Sequence, residues 1–212
     1  MLILYPQICC NIFGGIFFMY VCNMFELNHN NASEPSFQTA LEKLQIGEII
    51  AIHTNQYYTI VCNAIDTEAV NQLKVCAQQC NMHITVMMAS EREILYHTAS
   101  IDLAIFDALT ELETTVDFPI VVLCNNALNL AVGVENTLGQ FLLHKTTNEL
   151  MKQLIKRLRN PICCLQINEF SNLTSLKALF PTLTAAPFEP TPFFAALAYQ
   201  TTFQGTLEPV RK

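Results

Sequence analysis

The sequence contains no tryptophan, only six glycines and few charged side chains, which make up 14% of its 212 residues. Intrinsically disordered chains are poor in hydrophobic residues and highly charged, so this composition argues against disorder. Hydrophobic residues make up 51% of the sequence, enough to fill a large core, and the length suits one domain. With a net charge of −7, the chain also lacks the overall basic character of a protein that coats nucleic acid.

Paired cysteines at the spacing of a zinc site are missing as well. The nine cysteines are odd in number and lie mostly within apolar runs, which is typical of reduced, buried thiols in a cytoplasmic protein. Cys163 and Cys164 are neighbours and point to opposite faces of a strand, so they are poor disulfide partners. Cys76 and Cys80 share one helix face, but no second pair accompanies them, and they alone predict no metal site.

Residues 1–25 carry no charged side chain and are mostly apolar. A stretch of this length would just span a bilayer, but it lacks the positive start and the small-residue cleavage site of a secretory signal. Met24 opens a sequence that is typical of a soluble N-terminus. We therefore expect residues 1–25 to be an extension from a wrong start codon, with a membrane anchor or a packed apolar arm as alternatives.

The remaining sequence alternates between strand and helix patterns. Strands are predicted at 48–53, 83–89, 119–124 and 161–167. Helices are predicted at 36–46, 67–79 and 147–159, with helical segments across 91–113. This order indicates a single α/β domain with a parallel or mixed sheet over roughly residues 26–175. The tail 176–212 is rich in proline and is predicted to be irregular, with a short helix near 193–199.

A first motif lies between the predicted strand 48–53 and the predicted helix 67–79. It reads Ala51-Ile52-His53-Thr54-Asn55-Gln56-Tyr57-Tyr58-Thr59-Ile60-Val61-Cys62-Asn63-Ala64. The motif resembles the pattern A-F-P-T-D-T-V-Y-G-L-x-C-D-A of the YrdC/TsaC family, the threonylcarbamoyl-AMP synthases of tRNA modification. The positions that agree with the pattern are Thr54, Tyr58, Cys62 and Ala64. The positions that differ are His53, Asn55, Gln56, Thr59 and Asn63.

Two further segments follow in the order that this family has. Residues 68–89 resemble a helix that ends in Lys-x-Arg-Pro before a strand, and Ala77 and Gln79 stand at the lysine and the arginine. Residues 141–168 resemble a segment with a strand arginine, a helix, Pro-Leu and a Ser-x-Asn turn. The positions of its arginine, serine and asparagine are held by His144, Gln166 and Asn168.

The resemblance implies a twisted mixed sheet flanked by helices, with a concave groove for ATP with Mg²⁺, L-threonine and bicarbonate. The groove residues that it implies are Thr54, Tyr58, Ala77, Gln79, His144, Gln166 and Asn168. A triphosphate needs fixed cations around it, because it carries several negative charges. Ala77 and Gln79 are neutral, and His144 is at most partly charged near pH 7. We therefore expect lost or weakened catalysis. ATP and Mg²⁺ are implied as cofactors by the resemblance alone.

Several functions remain open, and the first is a pseudoenzyme that keeps the groove for a less charged ligand or for RNA. A tRNA or a double-stranded RNA would lie on the basic residues of the predicted helix 147–159. These residues are Lys152, Lys156, Arg157 and Arg159. The simpler explanation is a solvated helix face. Thr54, Tyr58 and Asn168 likewise have simpler explanations as a cap, a core residue and a turn residue.

An active enzyme, a metal site and a purely structural role are the further hypotheses. In an active synthase, His144 would replace the arginine and His83 would supply a second cation, which predicts a low pH optimum. A new metal site for zinc or copper could use the nitrogen and sulfur ligands His53, Cys80, His83 and His144. A structural role would leave the groove to a protein partner. A membrane partner is expected only if residues 1–25 are an anchor.

Overall fold

The computed structural model describes residues 8–13, 16–21, 23–26, 35–53, 58–79, 82–99, 101, 120–166, 197–201 and 207–209. Four helices lie within these residues, namely α1 (Pro35–Gln45), α2 (Thr67–Gln79), α3 (Glu91–His97) and α4 (Glu149–Leu158). The helices predicted at 36–46, 67–79 and 147–159 are confirmed. Of the helical segments predicted across 91–113, α3 is confirmed, and residues 102–113 lie outside the described part.

The strands before α2 are β1 (Ile8–Phe13), β2 (Ile16–Val21), β3 (Asn23–Glu26), β4 (Ile50–His53) and β5 (Tyr58–Asn63). The strands after α2 are β6 (Thr85–Met88), β7 (Ile120–Asn125), β8 (Gln140–Lys145), β9 (Ile162–Gln166), β10 (Leu197–Thr201) and β11 (Leu207–Pro209). The four predicted strands are confirmed as β4, β6, β7 and β9.

Nine of these strands form one sheet, in the order β11-β10-β7-β8-β6-β9-β5-β4-β3, while β1 and β2 pair with each other as an antiparallel hairpin. The sheet is mixed. The pairs β3–β4, β6–β8 and β7–β10 are parallel, and the other neighbours are antiparallel. The predicted α/β class and the mixed sheet are confirmed.

The sheet extends past the predicted limits of the domain at both ends. Asn23–Glu26 pairs with β4, so the last residues of the predicted extension belong to the sheet. Leu197–Thr201 pairs with β7, and the short helix predicted near 193–199 is therefore wrong from Leu197 onward. The backbone N–H and C=O groups on the outer edge of β7 pair with this segment as a parallel strand. The proline content of the tail does not indicate such pairing.

Helices cover both faces of the sheet and create two cores. The α2 face carries a cluster with Ile60, Cys62 and Cys163 packed under Val70 and Leu73 of α2. The α1/α4 face carries a second cluster. Its members from the sheet include Ile50, Val61, Met87, Ile162 and Cys164, and its members from the helices include Phe37, Leu44, Met151, Leu154 and Ile155. The central strands β5 and β9 are consequently buried on both sides.

No helix among the described residues is both long enough and apolar enough to cross a membrane.

Local signals fix the ends of α4. The Asn148 side chain accepts hydrogen bonds from the backbone N–H groups of Leu150 and Met151, both at 3.1 Å. At the other end Arg159 adopts the left-handed conformation with φ of 61°, and its N–H donates to the Ile155 carbonyl at 2.8 Å. Apolar residues three and four apart, from Leu150 to Leu158, then face the sheet.

We expect Asn148→Ala to lower the free energy of unfolding by about 1 kcal/mol, because two N–H groups lose their acceptor. Urea unfolding followed by circular dichroism measures the change. Asn148→Asp keeps the acceptor and serves as the matched control, with a change of only a few tenths of a kcal/mol. Equal losses in both variants would show that the side chain does not cap α4.

Candidate functional site

Four strand ends meet at one end of the sheet, which we call the groove end. β4 ends at His53, directly opposite the first residue of β5, Tyr58. β9 runs antiparallel to β5 and ends at Gln166, directly opposite Thr59. β6 begins beside β9 with Thr85 opposite Cys164. The last residues of β4 and β9 therefore lie at the same end of the sheet, beside the first residues of β5, and the first and third motif segments meet there.

Thr59 is the described side chain at the centre of the groove end. Its neighbour two positions on, Val61, belongs to the α1/α4 cluster, so Thr59 lies on that face of the sheet. Thr59 has no exposed surface, and its hydroxyl has no hydrogen-bond partner among the described residues. A buried hydroxyl without a partner is costly and needs an explanation, such as a bound water or ligand. Sequence reasoning missed this residue, although its difference from the glycine of the family pattern was a signal.

His144 lies on the same face but farther from the groove end. Its register partners are Met87 of β6 and Val121 of β7. His144 and Thr59 are three strands apart, which is about 14 Å across the sheet. His144 also lies about four residues, or about 13 Å, farther from the groove end in the direction of the strands. Only an extended ligand could contact both residues.

The charge of His144 follows from its surroundings. The side chain is 5% exposed, and its Nδ1 has no hydrogen-bond partner within the described part of the chain. Burial lowers the pKa of His144 from 6.5 to about 4, because the charged form loses its hydration. The imidazole is therefore neutral at pH 7. This argues against the hypothesis in which His144 replaces an arginine as a fixed cation near neutral pH.

Two further positions at which the family pattern has a cation, Ala77 and Gln79, lie at the end of α2. Ala77 is 2% exposed and packs into the core on the α2 face, which is the face opposite to that of His144. Gln79 is the last residue of α2 and is exposed, as is His83 before β6. None of the three described side chains brings a permanent positive charge to the α1/α4 face.

Several predicted residues cannot be placed. Thr54, Cys80 and Asn168 lie outside the described residues, as do the side chains of His53, Tyr58 and Gln166, whose backbones are described. Among the side chains that are described, no three histidine, cysteine, aspartate or glutamate residues converge as metal ligands would. The predicted metal set remains a prediction, since His53 and Cys80 are among those not placed.

The four basic residues do lie together on and just after α4, but two of them have partners within the protein. Lys152 donates to Glu149 at 2.8 Å, and this hydrogen bond lowers the pKa of the Glu149 carboxyl. The guanidinium of Arg157 lies 5.2 Å from the centre of the Phe37 ring. Lys156 and Arg159 are exposed. The ion pair between Lys152 and Glu149 therefore balances part of the positive charge that α4 would offer to an RNA.

These features define an α/β domain with a mixed sheet, in which the last residues of β4 and β9 and the first residues of β5 lie together at the groove end. Residues 42–178 match the Sua5/YciO/YrdC family model, described as Telomere recombination. The match covers more than half of the chain, and the chain belongs to this family. No curated protein sequence matches the chain.

Three solved structures illustrate the likeness. YciO from E. coli superposes with a TM-score of 0.62 at 12% identity, over 89% of this chain and 94% of that one. Full-length HypF, bound to phosphate and nucleotide, gives 0.60 at 17% identity, over 82% of this chain and 28% of that one. P. abyssi Sua5 with L-threonine gives 0.53 at 16% identity, over 67% and 41%. At these identities the likeness shows the fold. The chain spans only 40–41% of the Sua5 structures that it matches.

We expect the burial of His144 to make stability depend on pH. Its pKa is lower in the folded state, about 4 against 6.5, so the unfolded chain takes up the proton first as the pH falls. Stability is therefore complete above pH 6.5 and falls by about 3 kcal/mol between pH 6.5 and 4. Urea unfolding of the wild type and of His144→Asn at several pH values measures this loss.

The variant keeps the remaining histidines, so the difference between the two curves isolates His144. Parallel curves between pH 6.5 and 4 would mean that His144 is hydrated in the folded protein.

Proposed function

We propose that this chain is a YrdC-type domain whose groove has kept uncharged hydrogen-bonding groups and lost the cations that hold a polyphosphate. It would be a pseudoenzyme related to the synthases of threonylcarbamoyl-adenylate in tRNA modification, with weak or no catalysis. Its ligand would be a molecule of low negative charge, such as L-threonine or the nucleoside part of a nucleotide. The reduced, buried cysteines fit a cytoplasmic location.

The neutral state of His144 is the observation that carries the proposal. Among the three positions where the family pattern has a cation, the chain has a buried alanine, an exposed glutamine and a buried histidine whose pKa is about 4. A hydrogen bond to a charged group contributes about 1.5–3 kcal/mol, and each is lost in this chain. The loss of three such contacts would weaken ATP binding by several orders of magnitude.

The residues that agree with the family pattern support the other half of the proposal. Thr54, Tyr58 and Asn168 carry neutral hydroxyl and amide groups, which recognise polar ligands without needing a charge on them. Thr59 adds a buried hydroxyl that none of the described residues pairs with. One relative with this fold, P. abyssi Sua5, was solved with L-threonine, which is neutral overall at pH 7.

We expect the melting temperature of the full chain to rise with L-threonine and with adenosine, to rise less with AMP, and to stay unchanged with ATP–Mg²⁺. The order follows from mass action, because each added phosphate meets no fixed cation. A thermal shift titration at pH 7.5 measures it, and L-serine is the matched control for L-threonine. A larger shift with ATP–Mg²⁺ than with adenosine would contradict the proposal.

A second experiment restores the charge. We expect Gln79→Arg to strengthen ATP binding about tenfold or more, since one charged contact is worth at least about 1.5 kcal/mol. Gln153→Arg adds the same charge at an exposed site on α4 and is the matched control. Isothermal titration of both variants with ATP–Mg²⁺ gives the affinities. Equal gains would mean that a general field, not the groove, attracts the nucleotide.

The competing function is an active threonylcarbamoyl-AMP synthase with substituted groove residues. Its signature is pyrophosphate release from ATP that depends on both L-threonine and bicarbonate. We expect the wild type to show no such release above the rate without L-threonine. A release that matches an intact relative would establish the active synthase. Binding of a tRNA that Lys156→Ala and Arg159→Ala both weaken would instead assign the ligand to α4.

A further inference from the structure

Cys62 and Cys163 form a buried pair of thiols that the proposed groove does not use. They lie directly opposite each other on the antiparallel strands β5 and β9. Neither residue has exposed surface, and both belong to the core on the α2 face. Their side chains point to the same face of the sheet and pack into the same core.

The backbone geometry of this pair permits a covalent bond. Directly opposite residues of an antiparallel pair have Cα atoms about 4.5 Å or about 5.5 Å apart, depending on whether the pair is hydrogen-bonded. A disulfide spans about 4.4–6.8 Å between Cα atoms, so either kind of pair is compatible with one. Cys164 is next in sequence, but it packs into the other core, on the α1/α4 face.

We infer that Cys62 and Cys163 form a reversible cross-strand disulfide when a peroxide reaches them, which joins β5 covalently to β9. One sulfur attacks a peroxide oxygen, the O–O bond breaks, and a sulfenic acid and one water form. The second sulfur then attacks the sulfenic sulfur, the S–O bond breaks, and the thiol proton leaves with the hydroxide as a second water. The two thiols are oxidised by two electrons, and the peroxide is reduced to two waters.

The surroundings set the conditions for this reaction. Burial, and then the neighbouring Cys163, raise the pKa of the Cys62 thiol well above its ordinary value. Because the thiolate is the reactive form, we expect slow oxidation that follows transient opening of the sheet. The bond would tie together two of the strands that frame the groove end. This inference does not depend on which ligand the groove binds.

The experiment treats the full wild-type chain with hydrogen peroxide, blocks remaining thiols with iodoacetamide in denaturant, and maps the peptides by mass spectrometry without reduction. We expect a peptide pair linked through Cys62 and Cys163 that disappears after dithiothreitol. The oxidised protein should also melt higher by roughly 5–15 °C, because the bond closes a loop of about a hundred residues.

Two variants sharpen the test. Cys163→Ser should lose both the linked peptides and the rise in melting temperature, while Cys164→Ser, at the adjacent position on the other face, should keep both. If Cys163→Ser does not fold, the peptide map of the oxidised wild type is sufficient to test the inference. Linkage through Cys164, or alkylation of both Cys62 and Cys163 after peroxide treatment, would overturn the inference.

Discussion

The position of β9 between β5 and β6 is the constraint on which the rest of the structure depends. β9 has a neighbouring strand on each edge and a core on each face, so its successive residues must enter different cores. Cys163 joins the α2 face and Cys164 the α1/α4 face. A slip of one residue would exchange these faces, so the two-sided burial specifies the register strongly. The same register sets Gln166 opposite Thr59 and Cys163 opposite Cys62.

That constraint also controls the electrostatics of the candidate site. A side chain on β8 that faces α1 and α4 is surrounded by apolar residues, so a charge there would need a strong partner. His144 needs no such partner, because its pKa of about 4 leaves the imidazole neutral at pH 7. An arginine would always need one, because it stays protonated in proteins. It would require an anion, either from the protein or from a bound ligand. An arginine at this position would therefore imply an anion beside it, whereas the neutral histidine of this chain needs none.

Much of the fold could be predicted from the sequence, because its helices have regular apolar faces and its strands β4, β7 and β9 are continuous apolar runs. β8 was implied only through the resemblance, since Gln140–Lys145 shows no clear alternation. β10 was missed because its partner, β7, is far away in sequence. The candidate site was harder to predict. The motif identified the positions of Ala77 and His144, but the faces on which they lie depend on tertiary register and not on spacing.

The proposed loss of groove cations is compatible with a stable fold, because the two cores contain most of the buried hydrophobic residues. Like charges gathered in a groove repel one another in the absence of ligand and reduce stability. Neutral residues at those positions remove this repulsion, and functional sites commonly cost stability in this way. A chain released from polyphosphate binding would therefore face no structural penalty for replacing its cations. It would keep the sheet and the helices, because their packing does not depend on those cations.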